Sequence, residues 1–380
     1  MSFITYINSK PLFYKEIDYN RVYDAYDILK PHINHPITIH IVGTNGKGST
    51  GRAISHLLYK QNYSVVHYSS PHIREFNERI WINGANISNS NLEKAHQKLF
   101  NILKEDISNA LTYFEYTTLL SLVVASNCDI LILEAGLGGE YDATNIAPKD
   151  LSIITPIGLD HQEFLGDTIQ DIATTKINSI DKKVLLSIGT TDEVKDIAKD
   201  IAKQKSSKIY LTSEVMALAS QKNGAKAPIP NFNSYLKDNI QTAIASLEIL
   251  NLKYNIDDLN SLKLFGRYYK LEDNIIIDVG HNPLSAKAIK NNLKDKKVVL
   301  IYNTLEDKNY QEIINILKDN IIRVEIIEID TSRALDSKIL IDYLNSINIK
   351  NSKFNSINRD ENYLVYGSFY TIEAFLKRIN

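Results

Sequence analysis

The chain has 380 residues, more than a single hydrophobic core usually sustains, so about two domains are expected. Hydrophobic residues make up 44% and charged residues 23%, which excludes a disordered, collagen-like or coiled-coil protein. With 43 basic against 45 acidic residues there is no charge surplus to draw in a polynucleotide or an anionic membrane, and the lone Cys128 excludes a disulfide within the chain.

In chain order, MSFITYINSKPLFYKEIDYN alternates polar and apolar residues without the unbroken apolar stretch of a secretory signal, so it is expected to stay on a cytoplasmic protein. A β-branched run at Ile37–Val42, a glycine-rich turn, a helical pattern at Ser49–Gln61 and a strand-like run at Val65–Tyr68 predict a βαβ unit. The longest apolar run, Leu119–Ala125, is broken by Ser121 and falls far short of the ~20 residues that span a bilayer. Further buried strands are predicted at Asp129–Glu134, Leu151–Thr155, Lys183–Ile188 and Lys208–Leu211, a pattern suited to a parallel sheet covered on both faces. A helical pattern at Lys237–Leu250 leads to a polar, irregular stretch, Asp257–Asn274. The alternation then restarts with strands at Ile275–Val279, Lys297–Tyr302, Val324–Ile329 and Tyr363–Tyr366 and a closing helix at Tyr370–Ile379. The predicted fold is α/β: a larger parallel-sheet nucleotide-binding domain over residues 1–267, then a smaller doubly wound, Rossmann-like domain over 268–380.

Gly43-Thr44-Asn45-Gly46-Lys47-Gly48-Ser49-Thr50 follows a predicted strand and opens a predicted helix, the context that a phosphate-binding loop needs. Glycines let backbone N–H groups turn toward phosphates, the helix N-terminus adds positive potential, Lys47 can reach the β- and γ-phosphates, and a hydroxyl can ligate Mg²⁺. Thr44, Asn45, Gly46, Lys47, Gly48 and Ser49 are therefore candidate nucleotide-binding residues. Only two residues separate Gly43 from Gly46, and Gly48 stands where Ser or Thr is usual, which disfavours a generic kinase or GTPase. Glu134 ends a predicted strand just before a glycine-rich turn. A metal ligand belongs there, and so does an ordinary capping or solvated carboxylate. On spacing alone His161 reads more readily as a hydrogen-bonded structural residue than as a ligand.

The loop GTNGKGS is joined by Tyr68-Ser69-Ser70-Pro71-His72, Asn77-Glu78-Arg79-Ile80 and Ile82-Asn83-Gly84. Next come Leu133-Glu134-Ala135-Gly136-Leu137-Gly138-Gly139 with Asp142-Ala143-Thr144-Asn145, then Leu159-Asp160-His161 and Lys176. Asp278-Val279-Gly280-His281-Asn282-Pro283 and Tyr366-Gly367-Ser368-Phe369-Tyr370 complete the series. In type and order these motifs resemble the folylpolyglutamate synthase/dihydrofolate synthase family of the Mur ligase superfamily.

The resemblance implies a monomeric, cytoplasmic, ADP-forming ligase whose first domain binds ATP. It would add L-glutamate to dihydropteroate and to reduced folates through an acyl phosphate. It implies two Mg²⁺ ions, a place for a monovalent cation, and Ser70, Glu134, His161 and Lys176 as metal ligands, with Lys176 carbamylated by CO₂. Histidine is an unusual ligand for so hard a cation, so His161 rests on the resemblance alone. Lys47, Lys176 and His161 become the catalytic candidates, and Asn239, Arg267, Asp278 and His281 the further nucleotide contacts. Thr112, Tyr113, Phe114, Glu115 and Tyr141, with Arg21 in the same region, would border the pteroate site, although aromatic residues in such a stretch ordinarily fill a core. The sequence departs from the family pattern in three places. Phe232–Asn239 lacks the usual glycine and glutamine, Ile177-Asn178 replaces Ala-Gly after the lysine, and Leu211–Asn231 is short. A cell-wall Mur ligase would need a whole domain for a UDP-sugar, and only 42 residues precede Gly43. A nucleotide-driven switch or binding protein would hydrolyse ATP without glutamate.

Overall fold

The computed structural model describes residues 2–11, 18, 20–223, 229–230 and 232–379, so part of the short Leu211–Asn231 stretch lies outside the described residues. The chain divides into two compact units. The first takes in Met1–Ile157, Leu165–Asn231 and Leu236–Leu262, and the second Gly158–Phe164, Phe232–Tyr235 and Lys263–Asn380.

The first unit is built on eight strands: β1 Ile37–Val42, β2 Val65–Tyr68, β3 Ile80–Ile82, β4 Ala85–Asn86, β5 Ile130–Glu134, β6 Leu151–Ile154, β7 Lys183–Leu186 and β8 Lys208–Leu211. Their order across the sheet is β4-β3-β2-β5-β1-β6-β7-β8. From β2 to β8 neighbours run parallel, while β3 and β4 extend the edge antiparallel. Residues Thr38 to Val42 of β1 and all of β5 are buried, as a parallel sheet covered on both faces requires. Val66, Tyr68, Leu131 and Leu133 pack with apolar residues of the helices Phe3–Asn8, Asn20–Leu29, Asn89–Ala110 and Tyr113–Ala125. Val42, Ile154, Val184 and Leu186 pack with the helices Ile169–Ile177 and Asp192–Gln204.

The second unit has six strands: β9 Tyr269–Glu272, β10 Ile275–Asp278, β11 Val298–Tyr302, β12 Ile321–Ile326, β13 Asn351–Lys353 and β14 Tyr363–Tyr366. The order is β13-β12-β11-β14-β10-β9, all parallel except β9. Its core joins Leu300, Tyr302, Val324, Leu364 and Tyr366 to the helices Pro283–Leu293, Tyr310–Leu317 and Ser337–Ser346. Both units are α/β with mainly parallel sheets. Four short strands, β3, β4, β9 and β13, were not expected, and β12 starts three residues before the apolar run that predicted it.

Candidate active site

The phosphate loop leaves β1 at Val42, and its glycines are needed for space as well as for conformation. Gly43 has φ +146°, and a Cβ there would lie 2.1 Å from Thr155 Oγ1. Gly46, at φ +90°, is the N-cap of the helix Lys47–Lys60, and a Cβ there would lie 2.7 Å from Asn239 Oδ1. Asn239 is buried and donates from Nδ2 to Ser49 Oγ at 2.7 Å, so it braces the loop where the helix begins. No side chain caps this helix, which leaves the opening turn suited to an anion. The Thr44 and Asn45 amides donate to Pro156 O at 3.0 and 3.2 Å. Lys47 Nζ donates back to the carbonyls of Gly43 and Thr44 at 3.0 and 3.2 Å.

The sheet brings Glu134 and Ser70 to this loop. Strand β5 lies between β1 and β2, with Glu134 in register with Ile41 and Leu133 with Tyr68. Because all three strands are parallel, the phosphate loop, Glu134 and the Ser69-Ser70 turn leave the same edge side by side. Glu134 is only 5% exposed. The turn after it is organised by Asp142, whose carboxylate accepts from the Leu137 and Thr144 amides at 2.8 and 2.9 Å. Thr144 Oγ1 donates to Asp142 Oδ1 and lies 2.8 Å from His40 Nε2 on β1. Burial raises the Asp142 carboxyl above its ordinary range, against the pull of these bonds, and pushes His40 well below its usual value. Lys176 occupies the last turn of the helix Ile169–Ile177 and is 5% exposed.

The proposed pteroate residues fall partly on a helix cap. Thr112 is the N-cap of Tyr113–Ala125 and forms a capping box with Glu115. Arg21 donates to both Glu115 carboxylate oxygens at 3.2 Å. This group fixes the start of the helix that carries Tyr113 and Phe114. The Phe114 ring abuts Gly136, where a Cβ would lie 2.6 Å from Cζ, and Tyr141 is 57% exposed. Sequence reasoning missed the brace of the neighbouring Ser69–Arg79 segment. Arg79 Nε donates to His72 Nδ1 at 2.8 Å, and its guanidinium lies 5.2 Å from the Tyr113 ring centre. Burial, with help from Arg79, lowers His72 to about 4. Glu78 accepts from the Ile73 and Arg74 amides at 2.7 and 3.0 Å. These residues belong to a recognisable motif, but nothing in their spacing indicates which of them pair.

His161, Arg267, Asp278 and His281 belong to the second unit. Asp278 accepts from Tyr235 Oη at 2.9 Å and from the Tyr268 and Gly280 amides at 2.7 Å each. Burial raises its carboxyl despite the charge of Arg267. The Arg267 guanidinium lies 5.3 Å from the Phe369 ring centre. The unforeseen centre here is Asp160, which accepts from Lys308 Nζ at 2.8 Å and Asn282 Nδ2 at 3.1 Å. His281 Nε2 and His161 Nε2 lie 3.6 and 3.9 Å from its carboxylate. Burial alone would raise Asp160, but His281 and Lys308 outweigh it and hold the carboxyl far below the usual range.

Among the described residues no three His, Cys, Asp or Glu side chains converge as a metal cluster, and no helix is long and apolar enough to cross a membrane. At the sheet edge the Glu134 carboxylate and the hydroxyls of the Ser69-Ser70 turn offer hard oxygen donors to a cation that also takes ligands from a nucleotide. Such hard oxygen donors suit magnesium, which keeps several non-protein ligands.

The Mur ligase middle domain model matches residues 41–227. A dihydrofolate synthase/folylpolyglutamate synthase of Buchnera aphidicola subsp. Baizongia pistaciae is 31% identical over 362 residues, covering 87% of this chain and 83% of the relative. The chain belongs to the dihydrofolate synthase/folylpolyglutamate synthase family. A family member from Escherichia coli is 28% identical over 387 residues, covering 93% of this chain and 88% of the relative. Among solved structures, Helicobacter pylori folylpolyglutamate synthetase matches with TM-score 0.76 and 37% identity, covering 99% of this chain and 97% of that one. The Escherichia coli FolC complex with DHPP and ADP matches with TM-score 0.82 and 25% identity, covering 99% and 96%.

Proposed function

We propose that this chain is an ATP-dependent, ADP-forming ligase that joins L-glutamate to dihydropteroate and to reduced folates. The observation that carries this reading is the adjacency of the phosphate loop, Glu134 and the Ser69-Ser70 turn at the ends of parallel strands β1, β5 and β2. It is supported by family membership and by relatives whose names state both activities.

In the proposed reaction a carboxylate oxygen of the pterin substrate attacks the γ-phosphorus of ATP, and ADP leaves. The glutamate amine then attacks the acyl carbon and expels phosphate, losing a proton as the amide forms. Lys47 exchanges its loop carbonyls for the β- and γ-phosphates, and the uncapped helix start receives the rest of the negative charge. Asn239 holds Gly46 and Ser49 in place, while Arg267, Asp278 and His281 are assigned to the nucleotide by their motif. Ser70, Glu134, His161 and a carbamylated Lys176 are proposed to hold two magnesium ions, which when bound neutralise charge on the transferring phosphoryl group. Thr112, Tyr113, Phe114, Glu115 and Tyr141 are assigned to the pteroate end, with Arg21 acting through Glu115. The catalytic modules are proposed to divide at residue 268, in a monomeric cytoplasmic enzyme.

The test is ADP release by purified protein with ATP, Mg²⁺ and glutamate, comparing dihydropteroate with tetrahydrofolate. Turnover is expected with both. Failure with dihydropteroate removes the synthase half of the proposal, and ADP release that ignores glutamate favours a nucleotide-driven switch.

A further inference from the structure

Lys176 is the penultimate residue of a nine-residue helix, in the turn where helices fray. Intrahelical hydrogen bonds are therefore a weak hold on its position, and an outside brace is needed. The structure supplies one from the loop that follows Glu134. The Glu140 amide donates to Thr175 O at 2.9 Å, and Asn178 Nδ2 donates to Glu140 Oε2 at 2.8 Å. Gly139 lies flat against the helix, since a Cβ there would stand 2.5 Å from Lys176 O and 2.8 Å from its Cα. Ser179 Oγ donates to Lys176 O at 2.7 Å, while Lys149 Nζ bridges Ser179 O, at 3.0 Å, to the Asn145 side-chain oxygen. Asn145 Nδ2 in turn donates to Glu140 O at 2.8 Å.

We propose that Glu140 and Asn178 are a positioning pair that sets Lys176 relative to Glu134. Each residue bonds from a different side of the junction: Glu140 from the loop that begins at Glu134, and Asn178 from the residue that caps the Lys176 helix. Backbone and side chain of Glu140 both engage the helix end, so twisting the last turn would break two bonds together. The pair acts through Lys176, and the inference rests on the proposed role of Lys176 in ligation. A displacement of about 1 Å at such a group lowers rates by up to ~100-fold.

The experiment compares Glu140→Ala, Asn178→Ala, the double variant, Glu140→Gln and Lys176→Ala. Three quantities are read: kcat with its Mg²⁺ dependence, the melting temperature, and the ¹³C carbamate signal of protein equilibrated with ¹³C-bicarbonate in the absence of ATP. Glu140→Ala and Asn178→Ala should each lower kcat roughly tenfold, raise the Mg²⁺ requirement and weaken the carbamate signal. The double variant should be no worse than either single one, because both remove one bond. Glu140→Gln keeps an acceptor for Asn178 and should restore most of the rate. Melting temperatures that fall while kcat, Mg²⁺ dependence and carbamate stay at wild-type levels would make the pair a stabilising contact only and overturn the proposal. Full activity in Lys176→Ala overturns the Lys176 assignment itself and the pair with it. An inactive Lys176→Ala beside normal Glu140→Ala and Asn178→Ala removes the pair alone.

Discussion

The ammonium of Lys47 rests on two carbonyls of its own loop, so the cation is held at the start of the helix without being locked into the core. Lys47→Ala should lower kcat by about 10²–10³-fold, the scale of losing one well-placed donor to a developing anion, with the melting temperature little changed. A near-normal kcat would contradict the phosphate-loop assignment. Glu134→Gln keeps the shape of a buried strand-end side chain and removes its charge, so the Mg²⁺ concentration needed for half-maximal activity should rise steeply. An unchanged Mg²⁺ titration would put the metal elsewhere. His67 is a different kind of buried group: neither ring nitrogen has a hydrogen-bond partner, and Gly51 leaves it room, since a Cβ there would lie 2.4 Å from Nε2. Burial, with Arg52 adding to it, holds His67 well below 6.5. The folded chain therefore refuses a proton that the unfolded chain accepts as pH falls below 6.5. This contribution to stability is complete above that pH and is lost progressively beneath it. His67→Leu should flatten the fall in unfolding free energy below pH 6.5 by up to about 1.4 kcal/mol per pH unit, read from denaturant titrations at several pH values. His40, also pushed well below 6.5, should account for part of the slope that remains. An unaltered slope in the variant would contradict this reading of His67.

At the scale of elements, three of the loops that matter are set by side chains rather than by the strands they leave. Asp142 shapes the turn after β5, Glu115 completes the capping box with Thr112 at the start of the helix Tyr113–Ala125, and Asp160 ties Lys308 and the helix cap Asn282 together. The last case is the most exposed to mutation, because the side chains of Lys308 and Asp160 are 5% and 8% exposed. Lys308→Met leaves a buried carboxylate without its closest cation and should cost about 3–5 kcal/mol in chemical denaturation, with Asp160→Asn in the same chain recovering much of it. Equal stability of wild type and Lys308→Met would mean that Asp160 is adequately held by its other neighbours. The strands β1, β5 and β6 were legible because buried parallel strands are written as short runs dominated by β-branched and other apolar residues, and the glycine-rich loop after β1 stood out between such a strand and a helical pattern. Strands β9 and β13 were not, being short, half-exposed and polar at the sheet edges. The β3–β4 hairpin carried its signal in Asn83-Gly84, whose φ values of +47° and +99° fit a two-residue turn, but those residues were read only as part of a motif. The pairs Arg21–Glu115 and Asp160–Lys308, 94 and 148 residues apart in sequence, leave no periodic trace, since only the folded sheets bring them together. Asn178 stood out as a departure from the family pattern, and its bond to Glu140 gives that departure a structural sense.

At the scale of the whole chain, each unit has its own parallel-sheet core, and the residues assigned to nucleotide and metal are distributed over both units. Most of the family motifs were readable across this division because they sit where a strand ends and a loop begins, the places where an α/β sheet presents chemistry, while Lys176 lies in the last turn of a helix and Asn77-Glu78-Arg79-Ile80 leads into β3. Which carboxylate substrate is used is not written in those motifs, since dihydropteroate and reduced folates offer the same reacting group. Ligation through an acyl phosphate nevertheless leaves a mark that hydrolysis cannot imitate. With ¹⁸O in the carboxylate of the pterin substrate, each amide bond formed should transfer one labelled oxygen to the released phosphate, in equal amount with ADP and the glutamate adduct. Unlabelled phosphate, released without a glutamate adduct, would mean that water is the acceptor and that this chain is not a ligase.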